Sequence, residues 1–147
     1  MRICSGAIGK PWIAELPRQG HSEVGMTMNE TRAKNLGSEG IEAMAGGAHD
    51  AAAVHAALQR SKVEAVIDAL SSLPRDQCDM PKYVAGERKL RFEGGGNLFR
   101  AAHACGVRRY LQQSSRFFLK APEGPLADES SSMNVNASRG VAASGLI

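Results

Sequence analysis

The stretch Ser5-Gly6-Ala7-Ile8-Gly9 lies between a short apolar start at residues 2–5 and a segment with helical spacing of apolar residues at 8–18. Glycine lets a backbone approach a phosphate closely, and the free N–H groups at a helix start favour an anion. A full dinucleotide-binding fingerprint has three glycines, and Gly6 and Gly9 match its last two. The stretch therefore predicts a strand, a phosphate-binding turn and a helix, with a simple tight turn as the open alternative.

Short β-like runs alternate with helix-like segments along most of the chain. The predicted strands are 2–5, 23–27, 41–45, 65–70 and 107–114; the predicted helices are 8–18, 30–36, 51–60 and a long one best seen over 97–105, with 71–82 as a loop. We therefore expect an α/β, Rossmann-like three-layer domain with right-handed crossovers and a mostly parallel sheet of about five strands. The same alternation argues against the KH fold, in which Gly-x-x-Gly binds RNA.

Residues 1–121 are expected to form this domain, with an incomplete first strand. Residues 122–147 are expected to be an irregular tail, because Pro, Ser, Asn and Gly become frequent there. Ligands of parallel sheets bind at the carboxyl ends of the strands. The predicted dinucleotide contacts lie at those ends and are Gly6, Ala7, Ile8, Gly9, Met28, Asn29, Leu70 and Ser71. Asn29 and Asp50 are also predicted N-caps of the helices that follow them.

Composition and charge argue against several classes of protein. The net charge is +3 and the basic residues are scattered, which is too little to indicate a nucleic-acid partner. The three cysteines are widely spaced and form no Cys-x-x-Cys pair, so we expect free thiols in a reducing cytosol rather than a structural zinc site. The sequence has no signal-peptide pattern and no apolar run of membrane-spanning length. We expect a cytoplasmic protein without a membrane partner.

Several short motifs recur in an order that is typical of one family. They are Ser-Gly-Ala-Ile-Gly-Lys-Pro at 5–11, Gly20-His21, Asp50-Ala-Ala-Ala-Val, Gly94-x-x-Asn97-Leu98, Gly106-Val-Arg-Arg-Tyr110 and Gln113-Ser114-Ser115. Over residues 6–129 the chain thereby resembles the NAD(P)-dependent epimerase/dehydratase family, the extended or atypical short-chain dehydrogenases. The resemblance implies a nicotinamide dinucleotide cofactor and an oxidoreductase or epimerase that acts on a sugar nucleotide or a small carbonyl compound.

The chain departs from the family pattern at several positions. Met28 stands where many members have an arginine for a 2′-phosphate, so the resemblance implies NAD rather than NADP. Gly47 stands where an acidic residue contacts adenine. Ser115 matches the hydroxyl of the family's active site, with Ser114 beside it, and these two are the catalytic candidates. The partner motif Tyr-x-x-x-Lys is missing from the 147 residues, although that tyrosine moves the substrate proton and that lysine lowers its pKa.

These departures leave alternatives open. Ser114 and Ser115 are equally read as a polar strand end that satisfies local backbone groups. The whole chain is equally read as a non-catalytic dinucleotide-sensing module, or as an inactive, truncated copy with a degenerate cofactor loop. A half-domain would leave an apolar sheet edge unpaired, which favours a homodimer or aggregation.

Two further features need a structural explanation. Asp68 interrupts an apolar strand and would need a partner if buried. Gly94-Gly95-Gly96 is not followed by Lys-Ser/Thr, so a P-loop is not indicated. These glycines are expected to allow close packing or to break the long helix.

Overall fold

The structure is a computed structural model that describes residues 2–3, 9–74, 76–113, 128 and 130–132. The predicted residues Gly6, Ala7, Ile8, Ser114 and Ser115 lie outside the described residues, as does the expected boundary between residues 121 and 122. The described residues fall into two units. One contains the residues up to Ser71 together with Leu90–Gln113, and the other contains Ser72–Lys89.

The first unit contains a five-stranded parallel sheet. Its strands are β1 (Arg2–Ile3), β2 (Val24–Thr27), β3 (Glu42–Ala45), β4 (Ala65–Asp68) and β5 (Arg109–Gln112), in the order β3-β2-β1-β4-β5. Every pair of neighbouring strands is parallel. The predicted α/β fold with five parallel strands is confirmed, and the strand order reverses at β1.

The helices are α1 (Gly9–Arg18), α2 (Glu30–Ser38), α3 (Ala51–Ser61), α4 (Met80–Lys89) and α5 (Gly96–Ala104), with a 3₁₀ turn at Gln77–Asp79 and a π-helical turn at Leu90–Gly95. Right-handed crossovers place α1 and α2 on one face of the sheet and α3 and α5 on the other. In agreement with this placement, α3 and α5 pack against each other.

Side-chain caps fix the starts of two helices as predicted. The Oδ1 atom of Asn29 accepts a hydrogen bond from the N–H of Arg32 at 2.9 Å, and Oδ1 of Asp50 accepts one from Ala53 at 2.9 Å. Gly20, two residues after the end of α1, has a φ of 79°, a left-handed conformation that glycine adopts without strain.

Two helix boundaries differ from the prediction. The second helix passes through Gly37 and ends at Ser38, because a lone glycine on an exposed helix costs only about 1 kcal/mol. The segment 71–82 is not all loop, since α4 begins at Met80. Pro81 lies in its first turn, where a missing backbone N–H costs nothing.

The core of the first unit lies between the sheet and the pair α3 and α5. Its fully buried side chains include Val54 and Leu58 of α3, Val66 of β4 and Leu98 of α5. Small residues bring the elements close together. A Cβ added to Gly94 would lie 2.9 Å from the Cβ of Ala48, so the expectation of close packing at the glycine run is confirmed.

Candidate functional site

The carboxyl edge of the sheet at β1 is the point where the strand order reverses. In open α/β sheets, ligands bind in the crevice at such a point. Helix α1 begins there with the buried Gly9, and the positive end of a helix dipole at such a start favours an anion. The edge therefore presents backbone donors of the kind that bind a pyrophosphate. The predicted contact of Gly9 with a cofactor stays a prediction.

At the end of β2 the chain presents an apolar side chain to solvent. Thr27 is buried, whereas Met28 is 74% exposed. Asn29 uses its Oδ1 atom to cap α2. The first turn of α2 then carries Glu30 and Arg32, both exposed. This corner has no cation at the position after the strand, and contacts of Met28 and Asn29 with a cofactor stay predictions.

The loop after β3 is tied to its neighbours by three hydrogen bonds. The N–H of Gly46 donates to the carbonyl of Thr27 at 2.7 Å. The Nδ2 atom of Asn97 donates to the carbonyls of Ala48 and His49 at 3.1 and 3.2 Å. A Cβ added to Gly47 would meet no atom within 4 Å, so this position has room for a side chain that the sequence lacks.

The end of β4 is built around a buried carboxylate. Asp68 is 2% exposed, and its Oδ2 atom accepts a hydrogen bond from the hydroxyl of Tyr110 at 2.8 Å. Its Oδ1 atom accepts the N–H of Leu70 at 3.0 Å. Burial and the adjacent Asp68 raise the pKa of Tyr110 above its ordinary value. The hydroxyl therefore stays protonated and donates a hydrogen bond to the carboxylate. The partner expected for a buried Asp68 is therefore Tyr110.

Leu70 is buried and Ser71 is half-buried at this same edge. Their placement directly after β4 agrees with the sequence, and their contact with a cofactor stays a prediction.

The end of β5 is held by an arginine from the π-helical turn. A guanidinium N–H of Arg91 donates to the carbonyl of Gln113 at 2.9 Å. The Oε1 atom of Gln113 is buried and has no hydrogen-bond partner among the described residues. Gln113 directly precedes Ser114 and Ser115, whose catalytic role stays a prediction.

One buried carboxylate was not singled out from the sequence. In the second unit Glu87 is 1% exposed, and its Oε2 atom accepts hydrogen bonds from both the N–H and the hydroxyl of Ser72. A helical glutamate is mostly exposed in proteins, and no sequence signal distinguishes this one. Glu87 holds the start of the segment that follows Ser71.

A cavity of about 410 Å³ lies at the opposite end of β4 and β5. Its lining includes Glu64 and Arg108, which precede those two strands and form an ion pair at 3.1 Å. Because ligands of this fold bind at the other edge, the cavity is separate from the candidate site.

The described ranges contain neither a metal-binding cluster nor a membrane-spanning helix. No group of three or more His, Cys, Asp or Glu side chains there is arranged to hold a metal ion. No helix within those ranges has the length and apolar character needed to cross a bilayer.

The parallel sheet, the reversal at β1 and the helix start at Gly9 define a Rossmann-type, dinucleotide-binding class of protein. A model of a family described as NAD(P)H-binding matches residues 4–141. The chain belongs to this NAD(P)H-binding family, and the resemblance to epimerases and short-chain dehydrogenases is confirmed.

Relatives extend the comparison. A 3-diazoavenalumate denitrifying reductase from a Streptomyces species is 33% identical over 134 residues, which is 90% of this chain and 42% of the relative. The Stenotrophomonas maltophila UDP-glucose-4-epimerase superposes with a TM-score of 0.74 at 19% identity, over 95% of this chain and 44% of that one. The Bordetella bronchiseptica enzyme WbmG, crystallised with NAD and UDP, superposes with a TM-score of 0.71 at 21% identity, over 98% of this chain and 46% of that one.

The chain thus spans less than half the length of the relatives it matches. The family match makes it an NAD(P)H-binding protein.

Proposed function

We propose that this chain is the cofactor-binding part of a reductase that delivers hydride from a nicotinamide dinucleotide to a small electrophilic substrate. The observation that carries the proposal is the family match over residues 4–141, joined to a reductase relative that is 33% identical over 90% of the chain. The substrate classes we consider are a sugar nucleotide and a small carbonyl compound.

The cofactor would lie across the carboxyl edge of the sheet. The loop from Gly6 to Gly9 and the start of α1 would hold the pyrophosphate. The adenosine half would lie beside Met28 and Asn29, and the nicotinamide half beside Leu70 and Ser71. Support for this pose comes from the reversal of strand order at β1, which separates the two halves.

NAD is the expected cofactor in preference to NADP. A 2′-phosphate needs a cation for tight binding, and the residue after β2 is the exposed Met28. Glu30 and Arg32 in the first turn of α2 add one negative and one positive charge, so they leave no net positive charge at this corner. Affinity for NADH should therefore exceed affinity for NADPH.

A carbonyl substrate and a diazo substrate would make different chemical demands on the site. Reduction of a carbonyl produces an alkoxide that needs a proton, and Ser115 orients such a carbonyl but is a weak acid near neutral pH. Removal of a diazo group consumes a hydride and a proton and releases N₂, so it proceeds without an alkoxide. The reductase relative is named for a diazo compound, which is an electrophile of this second kind.

The test is a titration of NADH fluorescence with the 147-residue chain, followed by assays of NADH oxidation with carbonyl, sugar-nucleotide and diazo compounds. Saturable binding and oxidation with one of these compounds are expected. Fluorescence that stays flat at millimolar cofactor would contradict the proposal.

A non-catalytic, dinucleotide-sensing module is the second candidate, because the matching family is described by NAD(P)H binding and not by a reaction. Saturable NADH binding without oxidation by any compound of the panel would support this candidate over the reductase. The expected homodimer is relevant to both candidates and stays a prediction.

A further inference from the structure

Asp68 makes hydrogen bonds to three other residues at one edge of the sheet. Its Oδ1 atom accepts the N–H of Leu70 at 3.0 Å, and its Oδ2 atom accepts the hydroxyl of Tyr110 at 2.8 Å. Its carbonyl oxygen accepts the N–H of Gln113 at 2.8 Å. One residue therefore connects the turn after β4 with the middle and the end of β5.

Because Asp68 is buried, the loss of any of its hydrogen bonds would be energetically unfavourable. Asp68 is 2% exposed in a strand whose other residues are Ala65, Val66 and Ile67. A buried carboxylate without partners is strongly unfavourable, whereas a fully hydrogen-bonded one confines the groups that contact it. The network thus limits the positions that Leu70 and Tyr110 can adopt.

The π-helical turn confines the carboxylate from the other side. A Cβ added to Gly95 would lie 3.3 Å from Oδ2 of Asp68, so the absence of a side chain there makes room for the carboxylate. The Tyr110 ring packs edge-to-face on Phe99, with centroids 5.2 Å apart. These contacts hold the Tyr110 hydroxyl in place against Asp68.

The network lies on one side of the reversal point. Strands β4 and β5 are on one side of β1, and β2 and β3 are on the other. A dinucleotide that crosses this point has one half on each side. With the adenosine half beside Met28, the nicotinamide half reaches the carboxyl ends of β4 and β5, where the N–H groups of Leu70 and Gln113 donate hydrogen bonds to Asp68.

We propose that Asp68 is a positioning residue for the nicotinamide half of the cofactor. By binding the N–H of Leu70 and the hydroxyl of Tyr110, it sets the spacing of the two strand ends on which the nicotinamide ring rests. It does not contact the adenosine half. This inference rests on the proposed function, because it requires that the chain bind a nicotinamide dinucleotide.

The test compares NADH with ADP-ribose, which has the same adenosine and pyrophosphate but no nicotinamide. Asp68→Leu removes the side-chain hydrogen bonds to Leu70 and Tyr110, so it should weaken NADH at least about tenfold and should leave ADP-ribose affinity within about twofold. Asp68→Asn should restore most of the NADH affinity, because its amide oxygen accepts from Leu70 and its NH₂ group donates to the Tyr110 hydroxyl oxygen.

Tyr110→Phe gives a second route to the same answer if Asp68→Leu does not fold, as judged by circular dichroism and a cooperative melt. It removes one donor from the carboxylate and should also weaken NADH more than ADP-ribose. Asp50→Ala, which removes the N-cap of α3 and leaves the hydrogen bonds of Asp68 in place, serves as a control for general loss of stability.

The outcomes separate the two proposals. If both ligands weaken equally in the Asp68 or Tyr110 variants, or if neither weakens, the positioning role is overturned while the proposed function stands. If the unchanged chain binds ADP-ribose but not NADH, or binds neither, the proposed function fails and this inference fails with it.

Discussion

Met28 occupies the corner of the sheet at which we propose that a single side chain sets cofactor choice. It is 74% exposed after the buried Thr27, so a longer polar side chain fits there without disturbing the core. A guanidinium at this position would make charge-assisted hydrogen bonds to a 2′-phosphate, which are among the stronger contacts that proteins make to anions.

Met28→Arg should therefore raise NADPH affinity by about tenfold and change NADH affinity little. Fluorescence titrations with both cofactors measure the effect. Met28→Gln is the matched control, because it adds polarity without charge. Equal tightening of both cofactors, or a gain with glutamine as large as with arginine, would contradict the assignment of this corner to the 2′ position.

Tyr110 should titrate differently from a free tyrosine. Burial and Asp68 raise the pKa of Tyr110 in the folded chain, whereas the unfolded chain has the ordinary value of about 10. As pH rises above about 10, the unfolded chain loses the proton first. The free energy of unfolding therefore has its full Tyr110 contribution below about 10 and falls above it.

The measurement is the ultraviolet absorbance of tyrosinate in a Tyr83→Phe chain, which leaves Tyr110 as the remaining tyrosine. In the folded chain the signal should appear at higher pH than in urea. Coincident titration curves in the two solvents would show that the hydrogen bond to Asp68 does not hold the proton.

At the scale of elements, Gly86 in α4 and Gly94 in the π-helical turn that follows it have opposite surroundings. A Cβ added to Gly94 in the π-helical turn would lie 2.9 Å from the Cβ of Ala48 and 3.2 Å from Cδ1 of Leu90. A Cβ added to Gly86 in α4 would meet nothing within 4 Å. The two positions therefore separate close packing from helix propensity.

Gly94→Ala should lower the free energy of unfolding by about 1–3 kcal/mol, because neighbouring backbone and side chains must move apart. Gly86→Ala should raise it by roughly 0.5–1 kcal/mol, since alanine restricts the unfolded chain and suits a helix. Urea denaturation of both variants decides the matter. A Gly94→Ala chain as stable as the unchanged one would mean that the contact with Ala48 relaxes at no cost.

The same elements show which features the sequence predicts and which it does not: helix caps are predicted, and contacts between distant residues are not. The caps at Asn29 and Asp50 depend on residues three positions apart, so local chemistry specifies them. The pair of Asp68 and Tyr110 joins residues 42 positions apart, and it depends on the register of β4 against β5. The sequence therefore indicated that Asp68 needs a partner but did not identify Tyr110.

The start of α4 and the burial of Glu87 were not predicted from the sequence for a related reason. The start of α4 at Met80 follows a segment rich in Ser, Pro and Asp, whose composition favours a loop. Glu87 looks like an ordinary exposed helical residue until the backbone N–H of Ser72 is placed beside it. Tertiary contacts decide both, and local patterns do not contain them.

At the scale of the whole molecule, the edge strands of the described sheet are short, and each begins with a charged residue. Strand β3 begins with the exposed Glu42, and β5 has exposed Arg109 and Gln112 at its two ends. Short strands with charged side chains discourage pairing with another chain. Edge-to-edge association is therefore a weak basis for the expected homodimer, whose test is the mass of the chain in solution.

Cofactor binding should stabilise the molecule as a whole, because the helix start at Gly9, the loop after β3 and the strand ends come together only in the folded chain. A ligand at a hundredfold excess over its Kd adds about 2.7 kcal/mol to the free energy of unfolding. For a chain of this length, NADH at that excess should raise Tm by on the order of 10 °C.

Thermal melts at increasing NADH measure the shift, with NADPH and AMP as controls. NADPH should give a smaller shift, because Met28 cannot pair with its 2′-phosphate, and AMP should give a smaller one, because it lacks the nicotinamide half. Equal shifts for NADH and AMP would mean that the ends of β4 and β5 contribute nothing to cofactor binding.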